Sequence, residues 1–310
     1  MTERFAEPGA PRSGPASSPR SGSPLPPDGL WPSIAAVRSS HSYAESSYTH
    51  GHSAPVLNAH ATRTATSSAH YLLGSLRPGM SLLDVGCGPG TVTLDLAERV
   101  RPGLVVGVDP SVEALEAARA EASRRADRTT TFMAADVVAL PFEDGSFDVV
   151  HAHQVLQHLQ DPVAALREMA RVSASLVAVR DVEYRTMSWY PDLPGLDMWL
   201  DTYRGIARAN GAEPDAGRHL KAWARAAGLE NLRVTASTWC YCDPVSVRWW
   251  SSSQAARVSG ATFTRQALSA GRSTADIEEM ARAWIDWGRS PDAYFVMVHT
   301  ELVAEVPARG

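Results

Sequence analysis

The most specific chemistry in this sequence lies in a glycine-rich segment and an aspartate that follows it. Residues 82–90 are Leu-Leu-Asp-Val-Gly-Cys-Gly-Pro-Gly, with glycines at positions 86, 88 and 90. Glycine lets a backbone turn sharply and pass close to a ligand, where a Cβ atom would collide. Asp109 lies nineteen residues after Gly90, and a carboxylate there can accept hydrogen bonds from both hydroxyls of a ribose. The spacing therefore predicts a nucleoside site.

The elements that must position this site alternate between short apolar strands and amphipathic helices. One predicted helix opens with Asp161-Pro162, a capping residue followed by proline at the first helical position. The predicted strands are 82–85, 104–108, 130–134, 147–151, 176–179, 232–240 and 293–303. Continuously apolar strands that alternate with helices indicate a sheet covered on both faces. We therefore expect a doubly wound α/β fold with a seven-stranded, mostly parallel sheet, in which the last strand is antiparallel.

The ends and insertions of the chain differ in composition from this alternating region. Residues 1–30 hold seven prolines, four glycines and five serines, which predicts a disordered tail, and 31–60 are predicted to form an N-terminal arm. The catalytic domain is expected to cover 61–310, with helical cap insertions near 183–214 and 243–291. Aromatic residues of the first insertion suggest an acceptor with apolar or aromatic surface; they are Tyr184, Trp189, Tyr190, Trp199 and Tyr203.

Composition argues against several classes of function. The chain carries 29 basic and 34 acidic side chains, a net charge of -5, and no long basic run, so we expect no nucleic-acid partner. Cys240 and Cys242 have no second pair that would complete a zinc site, and the histidines lack carboxylates or cysteines at ligand spacing, so no metal is expected. The sequence predicts neither a membrane span nor a signal peptide, and the three cysteines are too few for a disulfide framework. We therefore expect a cytoplasmic location.

Four motifs occur in an order that resembles a known enzyme family. Asp84 precedes the glycines, Asp136 follows the third predicted strand, and Leu140-Pro-Phe-Glu-Asp-Gly-Ser-Phe-Asp-Val-Val150 is followed by Val155-Leu156 and His158. Over about residues 65 to 180 the chain resembles the class I S-adenosylmethionine-dependent methyltransferases. The resemblance is to the type 11 subgroup, which includes ubiquinone and menaquinone methyltransferases. The wider pattern, including Tyr48-Thr-His-Gly-His52 and Arg63-Thr64, is similar to bacterial UMTA-like small-molecule methyltransferases.

The resemblance implies a Rossmann-like methyltransferase fold, S-adenosylmethionine as cofactor, and a role for individual residues. The methionine half of the cofactor would be lined by Gly86, Cys87, Gly88 and Gly90, with Asp84 beside them. The ribose would contact Asp109 and Pro110. The adenine amino group would contact Asp136, an adenine ring nitrogen would contact the backbone of Val137, and the cofactor carboxylate would contact Arg63. His153 and Gln154 would lie near the sulfonium, with His153 the candidate catalytic base and His158 the next candidate. Family members usually carry Pro-Gly-Gly before the fifth strand, whereas this chain has Val172-Ser-Ala-Ser-Leu176, which predicts a tighter turn.

These inferences favour a methyltransferase that acts on a small, apolar or aromatic metabolite by direct in-line methyl transfer. Such a reaction needs alignment and exclusion of water more than covalent help. Two alternatives stay open at this point. A dinucleotide-dependent oxidoreductase would also use a glycine-rich loop, although its glycine spacing is different. A catalytically inactive regulator that binds S-adenosylmethionine would carry the same motif.

Overall fold

The computed structural model describes residues 62–308. The tail predicted over 1–30 and the arm predicted over 31–60 lie outside these residues. Among the described residues, no helix combines the length and apolar character needed to cross a bilayer.

A seven-stranded sheet forms the centre of the fold. Its strands are β1 Leu82–Val85, β2 Val105–Asp109, β3 Thr130–Ala134, β4 Phe147–His153, β5 Ser173–Tyr190, β6 Glu230–Tyr241 and β7 Tyr294–Glu305. They lie in the order β3-β2-β1-β4-β5-β7-β6, and β7 is antiparallel to both of its neighbours while β1 to β5 pair in parallel. The structure thus confirms the doubly wound, mostly parallel sheet and its antiparallel last strand.

Helices cover both faces of this sheet. They are α1 Ala65–Ser68, α2 His70–Leu73, α3 Thr91–Val100, α4 Val112–Arg124, α5 Pro162–Val172, α6 Pro194–Ala209, α7 Leu220–Ala226, α8 Pro244–Val258, α9 Ala261–Ser269 and α10 Thr274–Arg289. The predicted cap at Asp161 is present, because its carboxylate accepts a hydrogen bond from the Ala164 N–H at 2.8 Å. One face packs against α1, α2 and α3, and the other packs against α5 and α7.

Strand β5 is much longer than the four residues predicted for it. It begins at Ser173, directly after α5 ends at Val172, which confirms the tight turn. It continues to Tyr190 because Arg180 pairs with Glu301 and later residues pair with the rest of β7. Residues 183–190 of the predicted helical insertion are therefore strand, and its helix is α6.

The aromatic residues of the C-terminal half form a second apolar core. Tyr184 stacks on Tyr203 with ring centroids 4.4 Å apart, and Trp199 meets the edge of Trp284 at 4.9 Å. Burying such rings stabilises the layer of α6, α8 and α10 against β7. The expectation that Tyr184, Trp199 and Tyr203 present an aromatic surface to the acceptor is therefore wrong, because these side chains are buried in that core.

Candidate active site at the carboxyl edge of the sheet

The glycine turn after β1 has the geometry that its sequence predicts. Gly86, Gly88 and Gly90 have φ angles of 65°, 53° and 76°, the left-handed region that favours glycine. A Cβ at Gly86 would lie 2.4 Å from Cγ2 of Val155, and one at Gly90 would lie 2.9 Å from the ring of Phe132. A Cβ at Gly88 would meet no described atom within 4 Å. Packing thus explains the outer two glycines, while Gly88 leaves its side of the loop open to a ligand.

Asp109 ties this loop to the end of β2. One carboxylate oxygen accepts a hydrogen bond from the Gly88 N–H at 3.0 Å, and the other accepts one from the Ser111 N–H at 2.9 Å. A carboxylate can accept about four hydrogen bonds, two at each oxygen, and the ribose contact of Asp109 stays a prediction. Pro110, the next residue, is exposed beside it. The structure therefore places the predicted ribose residues beside the glycine turn.

Asp84 supports the loop from beneath it. Its side chain is 3% exposed. One oxygen lies 2.7 Å from Nδ1 of His151 on β4, and the other accepts a hydrogen bond from the hydroxyl of Thr93 on α3. Because both oxygens have internal partners, the clearest role of Asp84 is to hold β1, β4 and α3 together; its contact with the cofactor stays a prediction.

Cys87 offers its backbone to the loop, and its thiol is inert. Its N–H donates to the Val108 carbonyl at 3.0 Å. Burial raises the pKa of the Cys87 thiol well above its usual value, with Asp109 and Asp84 adding to the effect, so the side chain stays neutral at pH 7.

The predicted adenine residues lie in the turn just after β3. One oxygen of the half-buried Asp136 carboxylate accepts a hydrogen bond from the Val138 N–H at 3.1 Å, and the Asp136 carbonyl accepts one from Ala139 at 3.1 Å. Val137 between them is buried. This turn lies at the same edge of the sheet as Asp109, since parallel β2 and β3 end together at Asp109 and Ala134.

His153 ends β4 at the same edge of the sheet. It is 8% exposed, and neither ring nitrogen has a hydrogen-bond partner within residues 62–308. Burial lowers the pKa of His153 well below its usual value, and the positive charges of Arg180 and Arg63 lower it further. At neutral pH the side chain is therefore an uncharged imidazole with one acceptor nitrogen.

Gln154 connects Arg63 with a histidine that the sequence analysis did not single out. Its backbone has a φ of 56°, and its N–H donates to the Arg180 carbonyl at 2.7 Å. Nη2 of Arg63 donates to Oε1 of Gln154 at 2.8 Å, and Nε2 of Gln154 lies 2.7 Å from Nε2 of His299. The guanidinium of Arg63 also lies 5.3 Å from the ring centroid of Trp239. The structure thus brings Arg63 to Gln154, the residue that follows His153, and the roles of all three toward the cofactor stay predictions.

Sequence reasoning missed five further polar or aromatic residues at this edge, which are Arg180, Ser237, Trp239, His299 and Glu301. They lie on β5, β6 and β7, and the strand register places Arg180 beside both His153 and Glu301. A signal was present, because charged residues interrupt otherwise apolar strands at 180, 181 and 301. The pairing that brings them beside β4 is not visible in the local pattern.

Comparison with known proteins identifies the family. Residues 83–175 match the family described as methyltransferase domain. The chain is 34% identical over 274 residues to an uncharacterised methyltransferase of Schizosaccharomyces pombe, covering 83% of this chain and 95% of that one. It is 25% identical over 276 residues to the probable methyltransferase ltbC of Aspergillus luteorubrus, with 83% and 96% covered. A shorter match of 95 residues, 43% identical, covers 30% of this chain and 38% of the demethylmenaquinone methyltransferase of Lactococcus lactis.

The fold is also similar to that of a solved structure. The YcgJ protein from Bacillus subtilis aligns over 78% of this chain and all of that one, with a TM-score of 0.51 and 19% identity. The relatives give no support to the dinucleotide-dependent oxidoreductase or the inactive regulator. The open side of Gly88 and the acceptor oxygens of Asp109 fit a nucleoside cofactor. The chain therefore belongs to the class I S-adenosylmethionine-dependent methyltransferases and uses S-adenosylmethionine as its methyl donor.

Proposed function

We propose that this enzyme methylates a small-molecule acceptor that binds over the carboxyl ends of β4 and β5, beside the cofactor loop. The observation that carries the proposal is His153, a buried neutral imidazole at the end of β4 whose two nitrogens have no partner among the described residues. Ligands of open α/β sheets bind at the carboxyl ends of the strands. Buried polar groups without partners cost free energy, and a ligand that pairs with them recovers it.

The cofactor would lie along the ends of β1, β2 and β3. We assign its methionine half to the turn of Gly86, Cys87, Gly88 and Gly90, its ribose to Asp109 with Pro110, and its adenine to Asp136 and the backbone of Val137. The support is that these residues occupy one edge of the sheet and that Asp109 already contacts the loop. Arg63 would reach the cofactor carboxylate while it holds Gln154, because a guanidinium has five N–H donors.

The chemical step needs alignment and a place for a proton. When bound, S-adenosylmethionine supplies an electrophilic methyl carbon on a positively charged sulfur. The acceptor's lone pair forms the new bond to that carbon, and the electron pair of the broken carbon–sulfur bond stays on sulfur. Where the acceptor atom carries a proton, the neutral ring nitrogen of His153 accepts it. General base catalysis of this kind contributes about a hundredfold to ten-thousandfold in rate.

An acceptor with an apolar or aromatic portion fits the surface beside His153. The ring of Trp239 is half-buried and lies 5.8 Å from the His153 ring. Its indole N–H donates to the Ser67 carbonyl at 3.0 Å, which holds the ring in place. The exposed part of a fixed indole ring favours planar and apolar ligands.

The test is turnover of S-adenosylmethionine labelled in its methyl group, with a library of small metabolites, with bulk RNA and DNA, and with a protein extract. We expect label in the small-molecule fraction alone. The matched variants are His153→Ala and His158→Ala, since His158 lies on the next turn, Leu156–His158. Label that accumulates in nucleic acid or protein instead would refute the proposal.

A further inference from the structure

One face of the sheet changes from apolar to polar on the way to its carboxyl edge. The register pairs Leu82 with Val149 and Ala178 with Val303, and these apolar residues pack against α1, α2 and α3. The residues two or four positions nearer the carboxyl edge on β1, β4, β5 and β7, and three residues beside them on β6, are polar or aromatic; they are Asp84, His151, His153, Arg180, Glu301, His299, Thr235, Ser237 and Trp239. We call these nine residues the polar layer.

Arg180 is the buried cation of the polar layer, and it is incompletely paired. The side chain is 1% exposed. Its Nε lies 3.4 Å from Oε1 of Glu301, and its Nε and Nη2 donate to the Ser237 hydroxyl at 3.3 Å and 3.1 Å. Nη1 has no hydrogen-bond partner among the described residues. Burial lowers the pKa of Arg180 to about 10, so the group is still charged at neutral pH.

Each oxygen of Glu301 accepts a hydrogen bond from a hydroxyl group. One of its oxygens accepts the Ser237 hydroxyl at 2.5 Å, and the other accepts the Thr235 hydroxyl at 2.7 Å. A buried ion pair is stable when both partners are fully hydrogen-bonded, and Arg180 and Glu301 meet only through one long contact. The fold therefore keeps a buried guanidinium with donor capacity that Glu301 does not use.

His299 contributes a second buried donor, because its tautomer follows from its neighbours. Arg63 donates to Oε1 of Gln154, so the amide nitrogen of Gln154 points to His299 and can only donate. Nε2 of His299 must then accept. Burial lowers the pKa of His299 well below its usual value, so the ring is neutral and its proton lies on Nδ1. Nδ1 has no partner among the described residues.

These two donors border the same aromatic ring. The ring of His299 lies 4.4 Å from that of Trp239, and the guanidinium carbon of Arg180 lies 5.0 Å from the Trp239 centroid. Two donors that a ligand can complete, one of them cationic, call for an oxygen with negative charge. The sulfonium of a cofactor bound as proposed would add a further positive charge, which an anionic ligand would offset.

We propose that Arg180 and His299 bind an anionic oxygen of the methyl acceptor, so that the substrates of this enzyme are small organic anions whose ring or chain packs on Trp239. The inference rests on the proposed function in one respect, namely that the ligand bound at the carboxyl edge of the sheet is the methyl acceptor. A carboxylate or a phenolate would supply the same anionic oxygen, and the experiment separates them.

The experiment is calorimetric titration of the full chain saturated with S-adenosylhomocysteine. The probes are benzoate, 4-nitrophenolate at a pH where the phenol is ionised, and benzamide as the neutral analogue of benzoate. We expect one of the anions to bind at least about tenfold more tightly than benzamide. Preference for benzoate assigns a carboxylate, and preference for the phenolate assigns a phenol.

Variants then locate the site. Arg180→Met and His299→Phe should each remove most of the anion preference, and Arg180→Lys should keep part of it because it keeps the charge. Arg180→Met leaves the Glu301 carboxylate buried without its cation and can therefore destabilise the protein. The double variant Arg180→Met/Glu301→Gln removes that unpaired charge. Unchanged affinity for S-adenosylhomocysteine shows that the double variant is folded. The control is Arg233→Met, an exposed arginine on β6 that contacts the Tyr71 carbonyl at 3.3 Å and should leave the preference unchanged.

Two results would overturn the inference. Either both anions bind the parent no more tightly than benzamide, or the double variant keeps the parent's anion preference. Its failure is distinguishable from failure of the proposed function. Methyl transfer to neutral acceptors alone would refute the anion site and keep the small-molecule methyltransferase. Anion binding that depends on Arg180, together with methyl label found only in macromolecules, would keep the anion site and refute the small-molecule methyltransferase.

Discussion

Replacing Asp109 by alanine tests whether the carboxylate at the end of β2 holds both the glycine turn and the cofactor. In the folded protein its oxygens accept hydrogen bonds from the backbone of Gly88 and Ser111. Asp109→Ala leaves these two N–H groups without their acceptor, which costs about 1 to 3 kcal/mol of stability. It also removes the bonds predicted to the ribose, which contribute about 1.5 to 3 kcal/mol and correspond to roughly tenfold to hundredfold weaker binding.

The assay separates these two effects by measuring unfolding and S-adenosylhomocysteine affinity on the same variants. The matched control is Asp148→Ala, because Asp148 accepts two similar bonds from the N–H and hydroxyl of Ser81 at 2.7 Å and 2.9 Å, near the start of β4. We expect both variants to lose stability and only Asp109→Ala to lose affinity. If the two variants bind S-adenosylhomocysteine equally well, the assignment of the ribose to Asp109 is wrong.

Three further predictions follow from the geometry of the site and its surroundings. Gly88→Ala should cost only about 1 to 2 kcal/mol of stability because of the positive φ at this position, but it should weaken S-adenosylhomocysteine binding. Gly90→Ala should chiefly lower the melting temperature, because its Cβ meets Phe132. Weaker binding in Gly90→Ala and unchanged binding in Gly88→Ala would contradict the open side of the loop. Burial raises the pKa of Asp181 to about 7, so the stability that its protonated form provides is lost as pH rises through that value. Because the unfolded carboxyl has a pKa of 3.8, this loss accumulates between about pH 4 and pH 7, so the melting temperature of Asp181→Asn should exceed that of the parent by more at pH 8 than at pH 4, and equal differences at both would refute the shift. His153→Ala should lower the single-turnover rate and leave the cofactor affinity intact. Because the pKa of His153 is lowered, the single-turnover rate of the parent should fall with decreasing pH only well below pH 6.5. A fall that begins above pH 7 would contradict the buried neutral imidazole.

The alternation of short apolar strands and helices was enough to predict most of the fold. The bounds of β1 and β3 match the prediction, since their signals are local: β1 is an apolar run followed by Gly86, and β3 is a short run of β-branched and apolar residues shortly before Asp136. The C-terminal part of β5 was not predictable in this way. Arg180, Asp181 and Glu183 look like the start of a surface segment, and only pairing with β7 along its length makes them strand. Local pattern cannot report a partner that lies more than a hundred residues away.

The candidate site likewise has a part that the local sequence predicts and a part that it does not. The glycine turn and Asp109 are close in sequence, so their spacing indicated a nucleoside site, and the resemblance of four ordered motifs to the methyltransferase family indicated the cofactor and the reaction class. Tertiary structure decided where the side chains point. It turned Asp84 inward to His151 and Thr93.

The sequence by itself thus determined that this protein is a nucleoside-binding α/β protein, because glycine conformation and strand periodicity are local properties, and its ordered motifs carried the resemblance to the methyltransferases. Only the tertiary structure decided what surrounds the proposed acceptor position. Arg180, Trp239 and His299 come from three strands separated by helices, and the register of an antiparallel strand brings them to one edge. Whether a buried guanidinium is paired or left with a free donor depends on distances of a few tenths of an ångström, and those arise from packing across the whole sheet.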